Sequence, residues 1–291
     1  MLTALSSSSV AVAAGMAYSS IADRTYVAWA NSTAVKISYF SSFPSISTPV
    51  TVETVSTCIA IGLIIDSTGG NPIVAYAVNT GPVKMLSIRE HRFPFLMKVG
   101  DWNRFNRNTG GTLVEKCCHF FDLMNLVVGA RPIRVMASGA QDVNHLDERY
   151  DGEVPDIIDN AYVIVEYEGG VRAALDLCMF AEASRNEQEV SVVGDEGKVE
   201  ALVTEGVVRV GRRSDGIGRV TERPVADPSI RHVGMHHGAS YLEHVGFRDA
   251  IVHGRPAAVT LHDGLMAVAV GVAAHRSIDE RRTVELEEVL A

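Results

Sequence analysis

Residues 100–132, GDWNRFNRNTGGTLVEKCCHFFDLMNLVVGARP, decide how the rest of the chain is read. Gly110-Gly111 separate a polar and aromatic loop from a run of good helix formers, Thr112 to Val128. Thr112 reads as the N-cap, Glu115 three residues on as its capping-box partner, and Gly129 as the residue that closes the helix. At 100° per residue, Glu115, His119 and Asp122 fall at about 0°, 40° and −20° around the axis, a single ionisable stripe. Phe120, Leu123 and Val127 fall near roughly 140°, 80° and 120°, an apolar flank suited to burial on a sheet. A helix of this kind is a platform for proton transfer, because histidine titrates near neutrality and a neighbouring carboxylate raises its pKa or fixes its tautomer. A structural reading stands beside it, with Glu115 as cap, Asp122 solvated and His119 a hydrogen-bonded support. No second histidine completes an H-E-x-x-H pattern on the helix, so no metal is expected.

Outward from this helix the pattern is that of an α+β domain. Strand-like runs occur at 83–93, 133–139, 161–167, 171–178, 189–193, 198–203 and 207–210, with a short one at 283–286. Glu168-Gly169-Gly170 and Gly194-Asp195-Glu196-Gly197 are turn sequences between consecutive strands, which predicts antiparallel hairpins and a large, mostly antiparallel open sheet with helices on one face. Further helices are predicted at 240–252 and 263–274. Upstream the composition changes. Residues 1–83 hold only five charged side chains (Asp23, Arg24, Lys36, Glu53 and Asp66), and serine is abundant among the first 56. A boundary near Thr80-Gly81-Pro82 divides an N-terminal region, 1–80, from a domain spanning 81–291.

The whole-chain balance narrows the function classes. A net charge of −9 and a pI near 5.6 disfavour a nucleic-acid binder, because phosphate neutralisation needs clustered Lys and Arg. Cys58, Cys117, Cys118 and Cys178 form no C-x-x-C pair and read as reduced thiols. The N-terminal run lacks the basic segment of a signal peptide, and no apolar stretch approaches the roughly 18 residues of a membrane span. A cytoplasmic protein with a small-molecule partner is expected.

The segment 100–132, with its Gly-rich turn, the acid-x-x-x-His helix of Glu115 and His119, and the His-x-x-Asp continuation to Asp122, resembles the hallmark of the Gfo/Idh/MocA (glucose-fructose oxidoreductase / inositol dehydrogenase) family. The resemblance runs from about Gly81-Pro82-Val83-Lys84 through the hairpins and Gly194–Gly197 to the closing HGASYLEHVGFRDAIVHGRPAAVTLHDGLMAVAVGVAAHRSI, 237–278. It implies an NAD- or NADP-dependent oxidoreductase acting on a sugar or cyclic polyol and assembling as a homo-oligomer through its sheet face. His119 would be the acid/base or substrate-orienting group, with Glu115 where the family usually has Asp. Trp102, Asn103, Arg107 and Asp122 would contact substrate, with His237 and Tyr241 weaker candidates in a stretch that also holds His232, His236 and His244.

The same resemblance implies a nucleotide-binding domain upstream, and there the pattern fails. The nearest approach to G-x-G-x-x-G is VAVAAGMAYSSIADRTY, 10–26, where Gly15 is followed by Ala17 and Ser20 at the other two glycine positions. Gly69-Gly70 is a fainter candidate, and the family's Glu-Lys-Pro motif is missing; Lys116, inside the helix, does not replace it. Residues 1–80 therefore read as a partial or degenerate Rossmann-like remnant. Two other functions stay open: a non-catalytic carbohydrate-binding or oligomerisation module, and a hydrolase using Glu115 with a carboxylate such as Asp101.

Overall fold

Alternating burial lays down the sheet. In a strand such as Asn160–Tyr167, Ala161, Val163, Val165 and Tyr167 point into the core while Tyr162 and Ile164 face outward, the period of two that a half-buried strand requires. The structure is a computed structural model that describes residues 80–291, apart from 226 and 228, and the backbone of six strands between 13 and 76. Those six are β1 (Ala13–Ser19), β2 (Arg24–Ala30), β3 (Ala34–Phe40) and β4 (Val50–Thr54), paired in that order, and β5 (Ile61–Ile65) with β6 (Pro72–Tyr76). All of these pairs are antiparallel. The connections between these strands, and with them most of the expected Rossmann-like remnant, lie outside the described residues.

The main sheet comprises β7 (Val83–His91), β8 (Pro132–Ala140), β9 (Asn160–Tyr167), β10 (Arg172–Cys178), β11 (Gln188–Gly194), β12 (Gly197–Val203), β13 (Val207–Arg212), β14 (Val220–Pro224) and β15 (Val284–Glu285). Their order is β14-β13-β12-β11-β7-β10-β9-β8-β15. Every pair is antiparallel except β7 with β10, which run parallel. The open, mostly antiparallel sheet expected from the turn sequences is present, with β14 as an additional edge strand.

Six α-helices accompany it among the described residues: α1 (Asn106–Thr109), α2 (Thr112–Glu115), α3 (Cys118–Val128), α4 (Ala239–His253), α5 (Leu261–Glu280) and α6 (Glu287–Leu290). Leu113, Cys117, Phe120, Phe121 and Met124 of the α2–α3 segment form one core with Leu86, Ile88, Val163, Val165 and Leu175 of the sheet and with Val270, Ala273 and Ala274 of α5. The deepest side chains of α3 are thus Phe121 and Met124, with Leu123 and Val127 only partly buried. In contrast, α4 buries none of its side chains. No helix among the described residues is long and apolar enough to cross a membrane.

The helix after Gly110-Gly111 departs from expectation in two ways. It is interrupted at Lys116-Cys117, where the Cys117 N–H donates to the Thr112 carbonyl five residues back at 3.2 Å, the signature of a local π-type widening. Thr112 is not the cap: Gly111 holds that position, and the Thr112 hydroxyl donates instead to the Ile158 carbonyl at 2.6 Å. The reason is tertiary. His275 of α5 lies against Gly111 and its Nε2 accepts the Leu113 N–H at 3.1 Å, which satisfies the helix start from another element. The helix that brings His275 there is itself well capped, because Thr260 and Asp263 form a reciprocal capping box.

Gly271 permits that close approach, since a Cβ there would meet the Leu113 carbonyl oxygen at 2.5 Å. Gly271→Ala is expected to lower the thermal midpoint by an amount equivalent to about 1–3 kcal/mol, the usual cost of overpacking. Helix propensity alone favours alanine by about 1 kcal/mol, so a raised midpoint would show that the α2–α5 contact does not limit the packing.

Candidate active site

The site is built on a charge buried beneath the helix break. Glu90 lies on the inner face of β7 with no exposed side-chain surface, and the Lys116 ammonium sits 2.7 Å from its Oε1. Arg92 Nη1 is 3.4 Å from the same oxygen. An isolated carboxylate in such a place would be strongly disfavoured, and these cations lie where they can pair with it. The chain of charges continues: Arg92 Nε is 3.1 Å from Glu187 Oε1, and the other oxygen of Glu187 is 3.8 Å from His237 Nε2.

While Lys116 turns inward, its neighbour Glu115 turns toward the loop that follows β7. There Lys98 Nζ approaches Glu115 Oε1 at 2.6 Å and lies 4.9 Å from the centre of the Trp102 ring, a cation–π arrangement. His119, one turn beyond Glu115, is exposed. Asp122 is half-buried, and its carboxyl is raised above the ordinary range by burial first and by the charge of Asp263 second, with His119 acting in the opposite direction.

The structure therefore brings Glu115, His119 and Asp122 onto one helical segment and adds Trp102 through Lys98. His237 stands in the left-handed conformation (φ 50°) just before α4 and is tied to the segment through Glu187, Arg92, Glu90 and Lys116. Asn103 is buried, with its amide 3.5 Å from the Leu96 carbonyl. Arg107 pairs with Glu153 and covers the Phe105 ring at 4.2 Å. Among the weaker candidates, Tyr241 meets His232 edge to face, and His236 bonds the Ser240 hydroxyl at 3.0 Å. The Cys117 thiol is pushed well up by burial.

Sequence reasoning overlooked Lys98, Glu90 and His275. Lys98 is the one with a local signal, a lysine four residues ahead of an exposed tryptophan in a loop already rich in candidate ligands.

The described residues do not fit a nicotinamide dinucleotide. Gly15, the only glycine in the nearest candidate motif, lies inside β1 opposite Ala28 of the antiparallel β2, so a second strand takes the place of the phosphate-facing helix. Gly69-Gly70 lie outside the described residues.

His275 gives the site a pH dependence. Burial holds its imidazole below the ordinary histidine value of 6.5, as suits a ring that must stay neutral to accept the Leu113 N–H. Because the folded-state value lies below the unfolded one, the unfolded chain takes up the proton first. Stability is therefore full above pH 6.5 and falls as the pH is lowered through the folded-state value. Denaturant melts between pH 8 and pH 5 are expected to show this loss, and His275→Gln is expected to flatten it; an unchanged slope in the variant would rule out His275 as its source.

Comparison with known proteins agrees with this architecture. The family model described as "Oxidoreductase family, C-terminal alpha/beta domain", of the Gfo/Idh/MocA group, matches residues 79–286. Myo-inositol 2-dehydrogenase of Thermotoga maritima is 29% identical over 188 residues, covering 63% of this chain and 52% of that protein. Among solved structures, an oxidoreductase domain protein from Kribbella flavida superposes with a TM-score of 0.59 at 17% identity, covering 71% of this chain and 59% of the other. Aldose-aldose oxidoreductase from Caulobacter crescentus, complexed with glycerol, gives 0.53 at 21% identity, covering 70% and 56%. The chain spans little more than half the length of these relatives. With the match running unbroken across most of the chain, including the sheet and the Glu115–His119 segment, the chain belongs to the Gfo/Idh/MocA oxidoreductase family through that family's C-terminal alpha/beta domain.

Proposed function

We propose that residues 81–291 form the substrate-holding domain of an NAD- or NADP-dependent oxidoreductase acting on a sugar or cyclic polyol, with residues 1–80 as a separate N-terminal region. The observation that carries this reading is the placement of Glu115, His119 and Asp122 on one segment beside the Lys98–Trp102 loop. His119 is the exposed group able to hold or release the proton of a substrate hydroxyl, Glu115 orients that hydroxyl, and Trp102 supplies a flat apolar face. Asp122 keeps a carboxyl next to His119, Asn103 supports the loop from within, and Arg107 and His237 lie at the margins. Since no cofactor cradle is found among the described residues, the roles assigned to this chain end at substrate binding and proton handling.

Ligand-observed NMR of the 291-residue chain with myo-inositol and aldoses is expected to show saturable binding, with His119→Ala weakening it and leaving the thermal midpoint unchanged. A folded chain that binds no polyol or sugar would overturn the reading. Titration with NADH and NADPH, followed by nicotinamide fluorescence, separates the whole reaction from its substrate half. The lack of a cradle among the described strands also favours a second reading, a carbohydrate-binding module without hydride chemistry, which polyol binding without nicotinamide binding would support.

The outer face of the sheet is proposed as the oligomer interface. Met85, Met136, Tyr162 and Ile164 expose apolar surface there, beside the His91–Asp176 and Arg89–Glu189 pairs. Light scattering is expected to find an oligomer that Tyr162→Glu reduces to monomer; a wild-type monomer would remove this interface.

A further inference from the structure

We infer that Lys98 is a substrate-contacting residue, its ammonium and the Glu115 carboxylate forming a clamp for the vicinal hydroxyls of a neutral polyol, with Trp102 as the floor. The inference rests on the proposed polyol or sugar reading and adds to it both a residue and a preference among substrates.

Three features separate this contact from an ordinary surface ion pair, which contributes little to a fold. First, Lys98 Nζ is shared between the Glu115 carboxylate at 2.6 Å and the face of Trp102 at 4.9 Å, so an aromatic plane and two opposite charges converge on one spot. Second, Lys98 and Trp102 each keep about two-fifths of their surface exposed (41% for both), whereas Glu115 keeps 18%, so the spot is open from the loop side. Third, His119 follows one turn along the segment that presents Glu115.

The chemistry suits a diol. An ammonium has three donors, and bonding to Glu115 uses one, leaving others for a hydroxyl oxygen. Glu115 accepts from Lys98 through Oε1, and its second oxygen can accept the hydrogen of the adjacent hydroxyl. One hydroxyl accepts and its neighbour donates, while the C–H face of a pyranose or cyclohexane ring lies on the indole. The charge state sets the preference. Glu115 balances Lys98 and Glu153 balances Arg107, so the loop offers a substrate carboxylate no cation without a carboxylate partner of its own.

The test compares myo-inositol, glucose and glucuronate by ligand-observed NMR on the 291-residue chain and on Lys98→Ala, Lys98→Met and Lys98→Arg, each with its thermal midpoint. Loss of charge-assisted hydrogen bonding to the diol corresponds to roughly a ten- to hundredfold rise in the Kd for inositol. That rise is expected in both Lys98→Ala and Lys98→Met at unchanged midpoint, with Lys98→Arg retaining most of the affinity. The chain contains only two tryptophans, Trp29 and Trp102, so inositol should also change tryptophan emission, and Trp102→Phe should abolish the change. Wild-type affinity in the two neutral variants would overturn the clamp and leave the proposed function standing. Tighter binding of glucuronate than of inositol by the wild type would likewise overturn the clamp alone. A folded wild type that binds none of the three overturns the proposed function and the clamp together.

Discussion

A carboxyl without exposed surface is costly to leave without a partner, and at the inner face of β7 Glu90 meets that constraint through the helix above it. Glu90 draws Lys116 down to 2.7 Å, at the point where the regular helical bonding gives way between α2 and α3. With Lys116 held inward, Glu115 is left facing the loop and His119 opens to solvent one turn later. Had residue 116 been apolar and 90 a valine, the packing would have been easier and the orientation of the segment less firmly specified. Buried ion pairs are weak sources of net stability; this one ties Lys116 of the helical segment to β7, beside the candidate residues Glu115 and His119.

The site is consequently assembled from segments far apart in sequence. The loop after β7 supplies Lys98 and Trp102, the helical pair supplies Glu115, His119 and Asp122, and α5 supplies both Asp263 beside Asp122 and the His275 ring that receives the Leu113 N–H. The two faces of the sheet divide the labour: the inner face carries the helices and the site, and the outer face is a mixture of ion pairs and exposed apolar side chains. Helix α4 belongs to neither layer, with no side chain buried.

Much of this was legible in the sequence where the signal is local. Alternation in β9 and β10 and the Gly194–Gly197 turn define an antiparallel sheet directly, and a helical segment after Gly110-Gly111 needs only its run of good helix formers, although its break at Lys116-Cys117 left no local signal. Contacts across long separations left no such trace. Nothing near Thr112 shows that His275, over 160 residues away, will take the capping role, so a local rule assigned it to Thr112. Glu90 in a strand pattern and Lys116 in a helix pattern each look like solvated charges until the two elements are stacked. Thr260-x-x-Asp263 was different: the capping-box pattern was present, and it starts α5 two residues earlier than the apolar periodicity alone suggests.

The parallel pairing of β7 with β10 also orders events during synthesis. β7 is the first strand of the main sheet to leave the ribosome, yet its two neighbours are residues 172–178 and 188–194. The β9–β10 hairpin and the β11–β12–β13 meander can each close through short turns as they emerge. β7 instead waits for residues 172–178 to pair one of its edges and for residues 188–194 to pair the other, and long-range closure of this kind slows folding and exposes strand edges to wrong partners. The strand that carries Glu90 is thus the seam between β10 and β11, and both of its edges are closed only by residues distant in sequence.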